Sequence, residues 1–401
     1  MPRILVTDAE QRACLAVVRS LGAAGHHVVV CGSRARPLAG ASRYCRATHV
    51  VPSPKADAAG YAAAVLKVVD AERIDVVIPV TDLSASLVPR LRVDRPGVVV
   101  AFPESDAYER ISDKRHLMEV ARGLGVPVPK QLVLEERGSS LTADALRRAG
   151  IDFPLVLKPA RSAVAGLEAV HSFGVQMVES ESDLRSALST LHAEAYPLLV
   201  QERIQGPGLG AFLLAHHGRV IASFAHRRIR EKPPTGGVSV YRESVPLRED
   251  LRRYSELILA HFKWSGVAMV EFKEDSATGT PYLMEVNGRF WGSLQLAIDA
   301  GVDFPTLLLR TALGEEVAPV TSYRSGVRSR WLWGDVDHLI GMMRMPRSVL
   351  ATHPELPGRM GALARFVLPW RPGDRFEVLR FRDPAPFFRE SVQWIEAVLG
   401  R

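Results

Sequence analysis

The sequence predicts an α/β fold that opens with a doubly wound parallel sheet and passes into an α+β region of antiparallel hairpins. Three observations predict it. Short apolar runs alternate with amphipathic helical stretches through the first hundred or so residues, the order that builds a parallel sheet with helices on both faces. The pattern changes near residue 126, at the proline-containing stretch VPVPK. From residue 206 onward, paired apolar runs are joined by short Gly-containing turns, which is hairpin chemistry.

In chain order, residues 3–7 (RILVT) read as a buried strand. Residues 11–24 read as a helix with apolar positions at Cys14, Val17, Val18 and Leu21, stopped by Gly25. Strands follow at 28–32, 48–51, 75–80 and 97–102, with helices at 57–70 and just after 80. The first turn, TDAEQRA, lacks G-x-G-x-x-G, so NAD or FAD is not expected there. Thr81 and Asp82 stand where ligands enter such sheets, and read also as a helix N-cap. Residues 104–122 form a helix pair that includes Lys114.

Residues 153–159 (FPLVLKP) are an apolar strand interrupted by Lys158, a costly placement unless the ammonium meets an anion. The small-residue segment 160–167 is of a kind that folds backbone N–H groups over phosphates, although it holds one Gly only. A helix at 180–193 leads to a strand at 196–204, and 206–225 read as a hairpin turning at His217 and Gly218. Loop 226–239, HRRIREKPPTGGVS, sets His226 and four Arg or Lys beside Glu231 and a Pro-Pro-Thr-Gly-Gly hinge. It is expected to be a mobile lid over an anionic substrate, or else a solvated surface loop. A helix at 248–262 and a helix pair at 293–313 frame the last hairpin.

That hairpin carries the chemistry. In 282–293, YLMEVNGRFWGS, Glu285, Asn287 and Arg289 alternate, so one strand face holds a carboxylate, an amide and a guanidinium. The upstream run VAMVEFK carries Glu271, and EDSATGTP between them is turn-forming. A hairpin centred near Thr278 sets Glu271 opposite Glu285, which is unfavourable for like charges unless a divalent cation lies between them. Carboxylate and amide oxygens suit Mg²⁺, and Arg289 suits a phosphate oxygen. The hairpin alone also reads as an ordinary one with solvated charges.

The chain has 401 residues, enough for two or three domains. No uncharged apolar run approaches the ~18 residues that span a bilayer, so stable membrane insertion is not expected. The start, MPRILVTDAE, reads as a strand and not as a signal peptide. Three cysteines, Cys14, Cys31 and Cys45, form no CxxC pair and point to a reducing cytoplasm. The net charge of +7 comes from scattered Arg among acids, with no nucleic-acid module, so no nucleic-acid partner is expected.

These features together, in this order, resemble the ATP-grasp superfamily of carboxylate–amine ligases, the class of biotin carboxylase, carbamoyl-phosphate synthetase and D-alanine–D-alanine ligase. MEVNGRF is similar to that family's E-x-N-x-R signature, and the resemblance covers roughly residues 1–315. It implies an N-terminal pre-ATP-grasp domain (1–112), an ATP-grasp domain (113–315, with subdomains about 126–204 and 205–315) and a C-terminal extension (316–401). It implies ATP with one or two Mg²⁺, Mn²⁺ being an alternative. Lys114 and Lys158 would contact phosphates, and Gln201, Glu202, Arg203 and Ile204 would form the adenine hinge. Ser162 and Gly166 would lie in the phosphate loop, which departs from the family in lacking dense glycines. Glu271, Glu285 and Asn287 would hold metal, while Arg289, Lys158, Arg228 and Glu231 would serve the chemistry. The implied reaction activates a carboxylate as an acyl phosphate and couples it to an amine. Carboxylation, thiol ligation or a non-catalytic regulator are the alternatives, and a homodimer is left open. In the extension, Trp331 and Trp333 are expected to close a small core, and 339–345 and 387–399 to be amphipathic helices.

Overall fold

The computed structural model describes residues 1–139, 141–161, 163–165, 170–172, 174–351, 356–367 and 373–400. The first sheet consists of β1 (Arg3–Val6), β2 (His27–Gly32), β3 (Cys45–Val50), β4 (Val76–Ile78) and β5 (Val99–Val100). All are parallel, in the order β3-β2-β1-β4-β5. Helices α1 (Arg12–Ala23), α2 (Ala58–Ala71), α3 (Asp82–Leu87) and α4 (Leu91–Asp94) connect them, followed by α5 (Ser105–Ser112) and α6 (Lys114–Gly123). The doubly wound start predicted from sequence is therefore present. Three of its helices, α2, α3 and α6, begin where a side chain takes an orphan N–H group: Asp57 accepts from Gly60 N, Thr81 and Ser84 form a capping box, and Asp113 accepts from His116 N.

The second sheet is antiparallel, β10-β7-β11-β6, from β6 (Gln131–Leu134), β7 (Leu155–Pro159), β10 (Gln176–Val178) and β11 (Leu198–Glu202). β8 (Ala163–Ala165) and β9 (Val170–Ser172) form a separate antiparallel pair. Helices α7 (Ala143–Ala149) and α8 (Glu181–Thr190) belong to this part.

The third sheet has the order β16-β15-β12-β13-β14-β17-β18. Its strands are β12 (Gly208–His216), β13 (Arg219–Lys232), β14 (Val238–Ser244), β15 (Gly266–Glu274), β16 (Pro281–Asn287), β17 (Arg328–Arg330) and β18 (Arg375–Phe376). Around it lie α9 (Glu249–His261), α10 (Leu294–Ala300), α11 (Phe304–Ala312), α12 (Leu332–Arg344), α13 (Arg347–Ala351), α14 (Arg359–Val367) and α15 (Ala385–Leu399). The first and third sheets share a core. Leu15 and Val18 of α1 join Phe212, Phe224, Trp291 and Phe304 in one buried cluster, each large apolar side chain contributing about 1.5–3 kcal/mol by burial.

Two sequence expectations change. Residues 226–239 are not a loop. They lie in the β13–β14 hairpin and its short turn, where Arg227 and Arg228 pair with Glu243, Glu231 and Glu271, and Arg230 and Lys232 with Asp335 and Asp337 of the tail. The tail is also not set apart, since β17 and β18 extend the third sheet. Trp331 and Trp333 pack as expected: Trp333 stacks on Trp394 with centroids 4.3 Å apart, and Arg12 lies 3.7 Å over the Trp331 ring.

Candidate active site

The site is built on the β15–β16 hairpin. Its turn fixes the register: Asp275 Oδ1 accepts from Ala277 N at 3.0 Å and Thr278 N at 2.8 Å, and Gly279 takes φ +69°. That register places Glu271 opposite Glu285 and Met269 opposite Asn287, with a bulge after Glu271. Asn287 Nδ2 donates to Glu271 Oε1 at 2.9 Å and to Glu285 Oε1 at 3.2 Å, while its Oδ1 accepts from Arg289 Nη2 at 3.1 Å. The amide thus ties both carboxylates together.

Cations arrive from three other elements. Lys114, at the start of α6, puts Nζ 3.5 Å from Glu285 Oε2. Lys158, buried in β7, donates to Met284 O at 3.4 Å. Arg228, in β13, bridges Glu231 Oε1 at 2.8 Å and Glu271 Oε2 at 3.2 Å. Arg289 donates Nε to Asp82 Oδ2 at 3.0 Å, which links the site to the first sheet. Burial, then the Glu285 charge, pushes the Glu271 carboxyl above the usual range. Burial pushes Glu285 the same way, but Lys114 and Lys158 outweigh it and hold that carboxyl below its ordinary value. Burial also lowers the Lys158 ammonium, against the pull of Glu285. The two carboxylates are thus pushed in opposite directions, Glu285 by the lysines and Glu271, despite its pairing with Arg228, by burial and the Glu285 charge.

A divalent cation between the facing carboxylates would offset that burial and repulsion. The donors are hard oxygens: two carboxylates and an amide whose oxygen and nitrogen can exchange. Among the described residues no group of three or more His, Cys, Asp or Glu side chains is arranged to hold a metal; the set here is two carboxylates and an amide.

The structure brings together Lys114, Lys158, Arg228, Glu231, Glu271, Glu285, Asn287 and Arg289. The residues expected at the adenine hinge lie at the end of β11 and just after it. Gln201 is buried and donates to Gln131 Oε1 at 2.8 Å, Glu202 accepts from Lys130 N at 2.8 Å, and Ile204 is buried. Arg203 Nε is buried with no partner among the described residues. Gly206 (φ +146°) allows this strand's exit to graze the hairpin, since a Cβ there would stand 1.9 Å from Glu274 O. Ser162 and Gly166 lie outside the described residues. His226 does not reach the site. It is buried, stacks on Phe212 and bonds Ser293 Oγ at 2.8 Å; burial, then Arg242 and Arg228, holds its pKa well below the usual value. It points into the core because it faces inward on a strand, not outward from a loop.

Sequence reasoning left other residues unassigned. Tyr108 OH donates to Asp82 Oδ1 at 3.3 Å. Lys273 is lowered by burial and by Arg203, against Glu231, which sets it beside the hinge. A cavity of about 420 Å³ adjoins the carboxylates and is lined by Asp82, Arg90, Tyr108, Glu109, Lys114 and Arg161 among others. The turns after β1 and β4, where the sheet order reverses, are closed by the protein itself. Asp8 (φ +60°) accepts from Thr81 Oγ1 at 2.9 Å, Ser84 Oγ at 2.6 Å and Thr81 N at 3.1 Å. Thr81 is an N-cap there and Asp82 alone faces the site.

Residues 194–334 match a family described as ATP-grasp in the biosynthetic pathway with Ter operon. Comparison with curated proteins gives no match. Among solved structures, biotin carboxylase from Campylobacter jejuni is similar at TM-score 0.63 and 18% identity, over 82% of this chain and 74% of that one. The biotin carboxylase domain dimer of the 2-oxoglutarate carboxylase from Hydrogenobacter thermophilus, in complex with MgADP and bicarbonate, gives 0.62 and 19%, over 82% and 73%. The L-amino acid ligase from Bacillus licheniformis gives 0.59 and 16%, over 79% and 75%. The chain has the ATP-grasp fold, as its motifs implied.

Proposed function

We propose that this protein is an ATP-dependent ligase that activates a carboxylic acid as its acyl phosphate and joins it to an amine, releasing ADP and phosphate. The observation that carries this reading is the Glu271–Glu285 pair, tied by Asn287 and ringed by Lys114, Lys158, Arg228 and Arg289. The fold is that of carboxylases and ligases. A carboxylate is a poor electrophile, and phosphoryl transfer needs positioning and neutralised charge more than a protein nucleophile. The residues present supply those two things.

Glu271, Glu285 and Asn287 would hold Mg²⁺, which when bound neutralises phosphate oxygens. Lys158 and Lys114 neutralise the nucleotide's phosphates from the β7 and α6 sides, and Gln201–Ile204 border the adenine. Arg289, oriented by Asp82, meets the oxygens of the transferred phosphoryl group. Arg228 bridges Glu231 and Glu271, and Glu231 would be the candidate to take the amine's proton. The cavity beside Glu285 would receive the acid or the amine. Arg90 and Glu109, both exposed at its wall, would suit a substrate bearing both signs, such as an amino acid.

ADP release with Mg-ATP across a panel of acids and amines tests this. Phosphate formed only when both acid and amine are present is the expected result; release with bicarbonate alone, or with no acceptor, would favour a carboxylase or an ATPase. In Glu285→Gln, turnover is expected to fall at least about a hundredfold, the scale on which loss of one electrostatic group acts.

A further inference from the structure

Helix α15 carries an apolar stripe that is exposed among the described residues. On α15 the inner face is occupied: Glu390 accepts from Trp331 Nε1 at 2.8 Å, Gln393 donates to Arg36 O at 3.0 Å, and Trp394 donates to Asp337 at 3.0 Å while stacking on Trp333. The outer face holds Phe388, Val392, Ile395 and Leu399, which are 64%, 53%, 46% and 80% exposed. Their spacing is 4-3-4, the a/d seam of a heptad repeat. With Phe388 and Ile395 at d, and Val392 and Leu399 at a, the e positions are Arg389 and Glu396. Neither has an ion-pair partner among the described residues, and seven residues apart on one helix they cannot reach each other.

We propose that α15 is a homodimer interface in which two copies of the helix pair antiparallel about a two-fold axis. In that arrangement Val392 meets Ile395 of the second copy and Phe388 meets Leu399. The e positions also face each other, so Arg389 of each copy lies beside Glu396 of the other. An isologous contact needs this self-complementarity, and one helix supplies both the apolar and the charged half of it. A lipid surface fits less well. The helix carries Arg389 against Glu390 and Glu396 and has no Lys, whereas helices that lie on anionic membranes are rich in cations. The proposal concerns assembly and stands independently of the ligase reading.

Light scattering or sedimentation of the full chain at tens of micromolar tests it. The unaltered protein is expected at twice the chain mass. Ile395→Glu is expected to weaken the dimer by roughly a hundredfold or more, because each dimer loses two anchors of its seam. The position is half-exposed, so that variant stays folded, which its circular dichroism and melting temperature check. Glu396→Arg sets Arg against Arg and also dissociates the dimer. Mixing it with Arg389→Glu restores opposite charges at both e contacts and yields a mixed dimer, a result that general stickiness does not give. A single-chain mass for the unaltered protein overturns the proposal, as does a dimer indifferent to Ile395→Glu and to the charge exchange. Binding to anionic vesicles by a chain that stays monomeric overturns it too.

Discussion

Asn287 does at residue scale what a metal would do at site scale: it keeps two facing carboxylates from driving the hairpin apart. Asn287→Leu leaves Glu271 facing Glu285 without that bridge, so its melting temperature should fall in the absence of nucleotide. Restoration by Asn287→Asp is not expected, because a third carboxylate adds repulsion. At the cavity wall, Arg90→Ala and Glu109→Ala should raise KM for the acid or the amine while leaving KM for ATP within about twofold, since neither is among the residues assigned to the nucleotide or the metal. Equal changes in both constants would place the acceptor elsewhere. Glu390 gives a pH signature. Burial, opposed by Trp331 and Arg12 and reinforced by Glu377, pushes its carboxyl up to about 7, and Arg19 also faces it. The folded pKa lies above the unfolded one, so the stability it contributes is complete below the usual carboxylate range and is lost as pH rises toward about 7. Glu390→Gln should therefore flatten the fall in melting temperature between about pH 5 and about pH 8; a parallel fall in both proteins would refute the assignment.

At the scale of elements, the β13–β14 hairpin is fixed to the tail. Arg230 bonds both oxygens of the fully buried Asp335 at 2.6 Å, and Arg330 pairs with the same carboxylate. Lys232 pairs with Asp337, and His338 Nδ1 meets Glu231 O at 2.6 Å. These contacts hold the strand that presents Arg228 and Glu231 to the site. Asp335→Ala leaves two buried guanidinium groups without their carboxylate, a loss of about 3–5 kcal/mol. The expected result is a lower melting temperature and faster proteolysis near residues 233–237, with kcat reduced more than ATP affinity. Unchanged kcat in a folded variant would show that the tail does not position the hairpin.

Over the whole molecule, acids of the tail hold the first and third sheets together. Glu377 pairs with Arg12 of α1 and Arg242 of β14, and Asp383 takes Arg19, Ser42 Oγ and Arg43 N. Asp299 on α10 in turn takes Arg380 of the tail. Several Arg that read from the sequence as scattered charge are thus engaged in internal pairs. A chain ended after residue 325 loses these acids and strands buried Arg19 and Arg242, so it should be recovered mainly as aggregate; a soluble, cooperatively melting product of that length would contradict this.

The sequence by itself determined what repeats locally. Alternation of Glu285, Asn287 and Arg289, the turn chemistry at Asp275 and Gly279, and the strand–helix order of the first hundred residues set the hairpin register, the two-carboxylate set and the fold, because period-two and period-3.6 patterns and Asx turns act over a few residues. Lys158 betrayed itself as a charge inside an apolar run. Only the tertiary structure decided that His226 faces the core, that 226–239 is a pinned hairpin and not a lid, that Asp82 orients Arg289 from another sheet, and that the tail completes the third sheet. Each of those depends on a partner from 67 to 207 residues away, and a charge read alone in the chain does not say which opposite charge, that far along it, will desolvate beside it.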